Sequence, residues 1–133
     1  MNERTFVMIK PDAVAGGQVG RIVARFEEVG LVIERMEFGV LPRATAEANY
    51  AEHAGKPFYE SLIGYVTSGP VVRMVLSGPS AVAIARKLIG ATNPADAAPG
   101  TIRGDLGLTL DANVIHGSDS PASAEREIGI FFG

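Results

Sequence analysis

Segments with two different hydrophobic periods alternate along this chain, and that alternation restricts the folds it can adopt. The apolar residues of segment 19–29 recur every three or four positions, which predicts a helix with one buried face. Segments 5–10 and 71–76 are short and nearly continuous in apolar residues, which is typical of strands covered on both faces. A chain of this kind builds a sheet with helices packed against it.

The remaining segments complete the order β-α-β, a helical hairpin, β-α-β and a last helix. Further strands are predicted over 31–40 and 114–116, and further helices over 44–53, 57–66, 80–89 and after Pro121. This order predicts an α+β fold, a ferredoxin-like split β-α-β sandwich with a four-stranded antiparallel sheet covered by helices. The length favours a single domain over residues 1–133.

Local signals set the expected ends of several helices. Gly30 is expected to end the first helix, since glycine is common just after a helix. Ser80 is expected to cap the helix over 80–89, and Pro57 to begin the second helix of the hairpin. Segment 91–113 shows no sustained period, which predicts a long functional loop.

Composition excludes some classes of function. The 47% hydrophobic and 20% charged residues indicate a globular chain, and the net charge of −3 disfavours a nucleic-acid partner. No apolar run is long enough for a membrane span, and no signal peptide is visible at the start. The chain has no cysteine, which fits a reducing compartment. The predicted location is therefore the cytoplasm, with no membrane partner.

His116 is the first candidate for chemistry, because it lies between a predicted strand and the start of the last helix. A free imidazole is mostly neutral and nucleophilic at neutral pH, and the positive end of a helix favours a nearby anion. Glu127 and Ser118 could orient the ring. The local sequence is also consistent with a histidine in a surface turn.

Two other interpretations of the histidines are weaker. A Ser-His-Asp hydrolase built from His116, Ser118 and Asp119 is disfavoured, because triads unite residues distant in sequence and no G-x-S-x-G motif occurs. His53 and His116 lack the spacing of a metal-binding pair. The glycine-rich segment 16–20 lacks the Lys-Ser/Thr ending of a P-loop, so a turn is expected there.

Several motifs, taken together, closely resemble the nucleoside diphosphate kinase family. They include Ile-Lys-Pro-Asp at 9–12, Lys-Pro-Phe at 56–58 and Thr-Ser-Gly-Pro-Val-Val at 67–72. The most specific are Pro-Gly-Thr-Ile-Arg-Gly-Asp at 99–105 and Asn-Val-Ile-His-Gly-Ser-Asp-Ser at 113–120. The resemblance covers essentially the whole chain.

The resemblance implies a ping-pong phosphotransferase. The γ-phosphate of a nucleoside triphosphate, typically ATP, moves to His116 and then to a nucleoside diphosphate. Mg²⁺ is the implied cofactor, held mainly by the nucleotide phosphates, so no metal ligands from the protein are expected. A homo-oligomer is implied, with a hexamer favoured over a tetramer or dimer.

The resemblance also implies a role for each matched residue. Glu127, Ser118, Lys10 and Tyr50 accompany the nucleophile His116 in the catalytic group. The implied nucleotide-binding residues are Lys10, Phe58, Leu62, Arg86, Thr92, Arg103, Leu110 and Asn113. The cations would hold phosphates, Thr92 would add a hydroxyl donor, and Asn113 would bind the sugar side. Phe58 would stack on the base with Leu62 and Leu110 as apolar neighbours, and stacking accepts any base.

The chain departs from the family pattern at a few places outside the matched site. Arg21 stands where an acidic residue is common, and Leu106 stands where phenylalanine is common. Many members continue beyond the position of Gly133 with a segment that contacts a neighbouring subunit, which leaves the oligomer open. A catalytically idle nucleotide-binding module and a nucleic-acid-binding regulator are the alternative functions.

Overall fold

The computed structural model describes residues 2–132 and contains a four-stranded antiparallel sheet with helices against both faces. The strands are β1 (Asn2–Ile9), β2 (Val32–Val40), β3 (Pro70–Pro79) and β4 (Ile115–Gly117), in the order β2-β3-β1-β4. The predicted fold class is therefore confirmed. Met1 and Gly133, the ends of the predicted domain, lie outside the described residues.

The helices connect the strands and close the chain. They are α1 (Pro11–Ala15), α2 (Val19–Glu28), α3 (Arg43–Asn49), α4 (Tyr59–Val66), α5 (Ala81–Ile89), α6 (Ile102–Leu106) and α7 (Pro121–Phe132). Short 3-10 turns cover Ala51–His53 and Pro94–Asp96. Among the described residues, no helix is long and apolar enough to cross a membrane.

The two faces of β1 explain its continuous apolar run. Val7 and Ile9 pack in a cluster with residues of α2 and α5, whereas Phe6 and Met8 pack in a second cluster with residues of α3, α4 and α7. Neighbouring residues of a strand point to opposite faces, so a central strand covered on both sides needs apolar residues throughout. This burial holds the end of β1, and with it Lys10, in a fixed position.

Strand β2 is an edge strand and is only partly covered. The alternating residues Val32, Met36, Phe38 and Val40 form an apolar set along the strand, and all four are exposed. Phe38 pairs with Val72, and Met36 pairs with Met74, so these two side chains extend the face covered by α2 and α5. We call Met36, Phe38 and Val40 the β2 apolar edge.

Several predicted boundaries differ from the observed ones. The helix predicted over 44–53 ends at Asn49 and is followed by a 3-10 turn, because Tyr50 leaves the helical conformation with ψ of 21°. Helix α4 begins at Tyr59 instead of Pro57. Helix α1 has no counterpart among the predicted helices, and the loop predicted over 91–113 contains the Pro94–Asp96 turn and α6.

The predicted cap at Ser80 is wrong. Ser80 adopts a left-handed conformation with φ of 53°, and its side chain makes no capping hydrogen bond. The carboxylate of Glu3 on β1 instead accepts a hydrogen bond from Val82 N at 2.9 Å. A side chain from another strand satisfies the helix start, which local sequence does not reveal. At the start of α7, Ser120 is the capping residue, since its Oγ accepts from Ser123 N at 3.0 Å.

Candidate active site

A cleft of about 530 Å³ lies beside His116 and is lined by side chains from several elements. Many of the predicted site residues meet there, although they are far apart in sequence. Those lining it are Lys10, Tyr50, Leu62, Arg86, Thr92, Arg103, Asn113, His116 and Glu127. The cleft has four cationic side chains when Arg126 is included, which makes it suited to an anionic ligand.

The His116 ring is held on one side by α7. His116 pairs with Met8 in the sheet, and Met8 belongs to the cluster that α7 covers. Nε2 of the ring lies 2.9 Å from Oε1 of Glu127, a distance that fits an N–H donated to the carboxylate. That arrangement leaves the lone pair on Nδ1, the nitrogen that makes no hydrogen bond with any described residue.

Glu127 is in turn held by Ser118. The Ser118 hydroxyl donates to Oε1 of Glu127 at 2.6 Å, and Ser118 N donates to the carbonyl of Phe6 on β1 at 3.1 Å. Burial raises the pKa of Glu127, but hydrogen bonds from His116 and Ser118 and the charge of His116 outweigh it. The net pKa of Glu127 is therefore below its ordinary value, and the group is a carboxylate at neutral pH.

Arg86 and Arg103, the two arginines of the cleft that the sequence predicted, have different surroundings. Arg103 is buried and donates to three backbone carbonyls, those of Asn113 at 3.2 Å, Gly90 at 3.3 Å and Ile115 at 2.6 Å. Burial and then the charge of Arg86 lower the pKa of Arg103 to about 10, so it stays charged. Arg103 thus fastens the ends of the 91–113 segment while also facing the cleft.

Arg86 keeps more of its guanidinium available. It makes one hydrogen bond within the described residues, from Nη1 to the carbonyl of Gly117 at 3.2 Å. A guanidinium has five N–H donors, so most of those of Arg86 have no protein partner. Among the arginines of the cleft that the sequence predicted, Arg86 is the better placed to bind an incoming anion.

Helix α6, which carries Arg103, packs closely against the segment that precedes it in the chain. Thr101 caps α6, since its hydroxyl oxygen accepts from Gly104 N at 3.0 Å. A Cβ added at Gly104 would lie 2.0 Å from the carbonyl oxygen of Ala98, closer than any side chain allows. Glycine is required there because the backbone of segment 98–101 packs directly on the helix.

Lys10 lies at the end of β1 and is largely buried. Its Nζ donates to Oδ1 of Asn113 at 2.6 Å. Burial first, and then the neighbouring charge of Arg103, lower the pKa of Lys10 to about 8, although Asp12 opposes the shift. With a pKa of about 8, the Lys10 ammonium loses its proton within the pH range in which many proteins function.

Asn113, Thr92 and Tyr50 complete the polar wall. Asn113 is 4% exposed, and its Nδ2 donates to the carbonyl of Thr92 at 2.9 Å, so its amide is ordered on both sides. Thr92 is exposed at the mouth of the cleft. Burial raises the pKa of Tyr50, so its hydroxyl stays protonated at neutral pH.

A second cleft of about 530 Å³ adjoins the first and has an aromatic wall. Phe58 is half exposed there and shares the lining with Leu62, Ser61, Tyr65, Asp111 and Ala112. The His53 ring lies 5.3 Å from the Phe58 ring, measured between centroids. Leu110 lines only a smaller recess of about 150 Å³, where Leu62 and Lys10 meet it.

Comparisons with a family model and with known proteins all identify nucleoside diphosphate kinases as similar to this chain. A family model described as nucleoside diphosphate kinase matches residues 3–133. The nucleoside diphosphate kinase of Archaeoglobus fulgidus is 58% identical over 130 residues, which span 98% of this chain and 86% of that protein. That of Moorella thermoacetica is also 58% identical over 130 residues, spanning 98% of this chain and 94% of its own.

The chain belongs to the nucleoside diphosphate kinase family.

A solved structure of a member of this family has the same fold. The halophilic nucleoside diphosphate kinase from Halobacterium salinarum, in complex with CDP, superposes with a TM-score of 0.95 at 49% sequence identity. The match covers 99% of this chain and 88% of that chain.

The cleft of this nucleoside diphosphate kinase family member also contains residues that the sequence did not single out for it. They are Asn49, Glu52, His53, Gly117, Asp119, Ser123 and Arg126. Arg126 directly precedes Glu127 on α7, and its Nη2 donates to the carbonyl of Asn49 at 3.0 Å. The position of Arg126 next to Glu127 could have marked it as a candidate site residue. Its hydrogen bond to Asn49 of α3, however, forms only in the tertiary structure.

Proposed function

We propose that this chain is a nucleoside diphosphate kinase that carries the transferred phosphoryl group on Nδ1 of His116. The supporting observation is the orientation of the ring. Nε2 is bonded to Glu127, and Nδ1 carries the lone pair beside a cleft lined with cations. The whole chain would act as one domain, since both hydrophobic clusters pack on the same sheet.

In the first half-reaction, the Nδ1 lone pair forms a bond to the γ-phosphorus, and the bond from that phosphorus to the bridging β,γ-oxygen breaks. The nucleoside diphosphate leaves with the electron pair of the broken bond. Positive charge grows on the imidazole, and the Glu127 carboxylate stabilises it through Nε2. The second half-reaction reverses these steps with a different nucleoside diphosphate.

The other side chains would bind and orient the nucleotide. Lys10, Arg86 and Arg103 would attract the phosphates, because negative charge spreads over the transferring oxygens. Thr92 and Asn113 would bind toward the sugar side. The half-exposed face of Phe58 would stack on the base, which favours a broad range of bases. Tyr50 would contribute a neutral hydroxyl near the reacting centre.

Mg²⁺ is proposed as the cofactor, and it would supply charge neutralisation across the nucleotide phosphates. Within residues 2–132, no group of three or more His, Cys, Asp or Glu side chains could hold a metal ion. The cleft is instead rich in Lys and Arg, a donor set that fits phosphates better than a bare cation. These residues therefore fit a metal that arrives bound to the nucleotide.

Phosphate labelling tests the proposed function. Wild-type protein mixed with a nucleoside triphosphate and Mg²⁺ is expected to gain one acid-labile phosphate, releasing one nucleoside diphosphate before any acceptor is added. Intact-protein mass spectrometry and nucleotide chromatography would measure both products. Nucleotide binding without labelling or exchange would instead favour a catalytically idle binding module. A salt-dependent shift of DNA would favour the nucleic-acid regulator, which the net charge of −3 disfavours.

Lys10 predicts a pH dependence of nucleotide binding. Its pKa of about 8 in the free protein means that the ammonium is present below pH 8 and is lost above it. Bound phosphates favour the charged form, so binding above pH 8 must take up a proton. Affinity for a nucleoside diphosphate is expected to fall about tenfold from about pH 7.5 to about pH 9.

Calorimetry in two buffers of different ionisation enthalpy would count the protons taken up. Lys10→Gln should bind more weakly at every pH and should lose the uptake. Unchanged affinity across this range, without proton uptake in the wild type, would contradict the role of Lys10.

A homo-oligomer is also proposed, with a hexamer favoured over a tetramer or dimer. The β2 apolar edge supports it, because an exposed edge strand can pair with the same strand of a second copy. Phe38→Asp, at a residue 66% exposed on β2, is expected to lower the mass in solution, measured by light scattering. A wild-type chain that is monomeric would contradict this.

A cytoplasmic location also stays a proposal, which cell fractionation would check.

A further inference from the structure

The residue that precedes β4 has an unusual backbone. Val114 adopts φ of 79°, a left-handed conformation that a β-branched side chain rarely takes. Such a conformation is kept only where its surroundings determine it. Val114 separates Asn113, whose side chain reaches the cleft, from Ile115, which is buried in the core. The direction of Asn113 and the start of the strand carrying His116 therefore both depend on this turn.

Both backbone polar groups of Val114 are bound by one short segment. Lys10 N donates to the carbonyl of Val114 at 2.8 Å, and Val114 N donates to Oδ2 of Asp12 at 3.2 Å. On the other side, Arg103 binds the carbonyls of Asn113 and Ile115. The turn is thus held from both sides, and Asp12 supplies the only side-chain acceptor for its N–H among the described residues.

The second carboxylate oxygen of Asp12 reaches a different part of the site. Oδ1 accepts a hydrogen bond from the hydroxyl of Tyr65 on α4. The Tyr65 side chain lines both the cleft of Phe58 and the recess that contains Lys10 and Leu110. One carboxylate therefore joins the helix of the aromatic cleft to the turn that carries Asn113.

We infer that Asp12 and Tyr65 are positioning residues that hold the base cleft and the phosphate cleft at the spacing one nucleotide requires. This inference rests on the proposed nucleotide site and adds two residues to it. A nucleotide contacts Phe58 at one end and His116 at the other, so its reaction depends on that spacing. A phosphate donor without base or sugar does not span the two clefts and reacts independently of it.

The test compares two donors on the full chain. A nucleoside triphosphate with Mg²⁺ spans both clefts, whereas phosphoramidate carries only the phosphoryl group. With phosphoramidate, the Nδ1–phosphorus bond of His116 forms as the phosphorus–nitrogen bond of the donor breaks and ammonia leaves. Phosphorylation of His116 is followed for each by intact-protein mass spectrometry.

Tyr65→Phe keeps the ring and removes only the hydroxyl. We expect it to lower kcat/KM with the nucleoside triphosphate about tenfold, mainly through KM, while the rate with phosphoramidate stays at the wild-type value. Tyr59→Phe is the matched control, because Tyr59 is on the same helix, packs against the cluster of Phe6 and Met8, and lines neither of the two clefts nor the recess of Leu110. It should leave both rates unchanged.

Asp12 gives a second, independent comparison. Asp12→Ala removes both contacts and is expected to lower kcat/KM with the nucleoside triphosphate about a hundredfold. Asp12→Asn keeps groups that can bond Val114 N and Tyr65, so its kcat/KM should recover most of the way to the wild-type value. If Tyr65→Phe slowed phosphorylation of His116 equally with both donors, or slowed it with neither, the inference would be overturned. A wild-type chain labelled by phosphoramidate but not by nucleotide would overturn the proposed function itself, before any variant is compared.

Discussion

His116→Gly is expected to abolish phosphate exchange between nucleotides, with a loss of more than about 10⁴-fold in kcat. The variant removes the atom proposed to accept the phosphoryl group, and Glu127 is left facing an empty space instead of an imidazole. Nucleotide binding should persist, because the cations and Phe58 are untouched. Intact-protein mass spectrometry and a nucleotide exchange assay would measure the loss.

His53→Gly is the matched control for this variant. His53 is the other histidine of the chain and also borders the cleft, but its ring packs against Phe58 and Nδ1 lies near Lys56 Nζ at 3.3 Å. The His53 variant should still be labelled by a nucleoside triphosphate. Labelling that persists in His116→Gly, or disappears only in His53→Gly, would show that His116 is not the phosphate carrier.

Arg86→Ala is expected to lower kcat about 10³-fold, the lower end of the range for an arginine that stabilises a transferring phosphoryl group. Arg86 binds the carbonyl of Gly117, the residue after His116, so its guanidinium lies close to the proposed phosphate acceptor. Its remaining donors have no partner among the described residues. Nucleotide affinity should fall less than kcat, because an interaction that is stronger in the transition state than in the bound substrate contributes more to kcat than to binding.

Two further variants make the result on Arg86 specific. Arg86→Lys should recover part of the rate, because it restores the charge without the planar fork of donors. Lys87→Ala removes a neighbouring cation of α5 that lines a different pocket, near Val29 and Ile84, and should leave kcat unchanged. If Arg86→Ala raised only the KM, the arginine would be a ground-state binding group instead.

The different surroundings of the arginines could not be seen in the sequence. From the sequence, Arg86 and Arg103 are equivalent candidates for phosphate binding. The structure gives Arg103 three backbone carbonyls and leaves Arg86 with one. Those carbonyls belong to residues up to 13 positions away, and only the path of the 91–113 segment brings them to one guanidinium.

Local sequence was sufficient for the main elements but weaker at their ends. Hydrophobic period depends on neighbouring residues, so it identified the strands and most helices, including the continuous apolar run of β1. It missed α6, because a five-residue helix has too few positions to show a period. It also assigned the start of α5 to Ser80, whereas the carboxylate of Glu3 performs that role from β1.

His116 illustrates which features of this protein can be inferred from sequence and which depend on the folded structure. Hydrophobic period and short motifs were enough to identify the fold class, the family and the candidate nucleophile, because both can be recognised from neighbouring residues. The hydrogen bond between one ring nitrogen and Glu127, the contact of Lys10 with Asn113 and the two contacts of Asp12, with Tyr65 and Val114, arise only when the chain is folded. These partners are far apart along the chain, so no local pattern links them. Lys10 and Asn113 are 103 residues apart, and the pairing of β1 with β4 places them in contact.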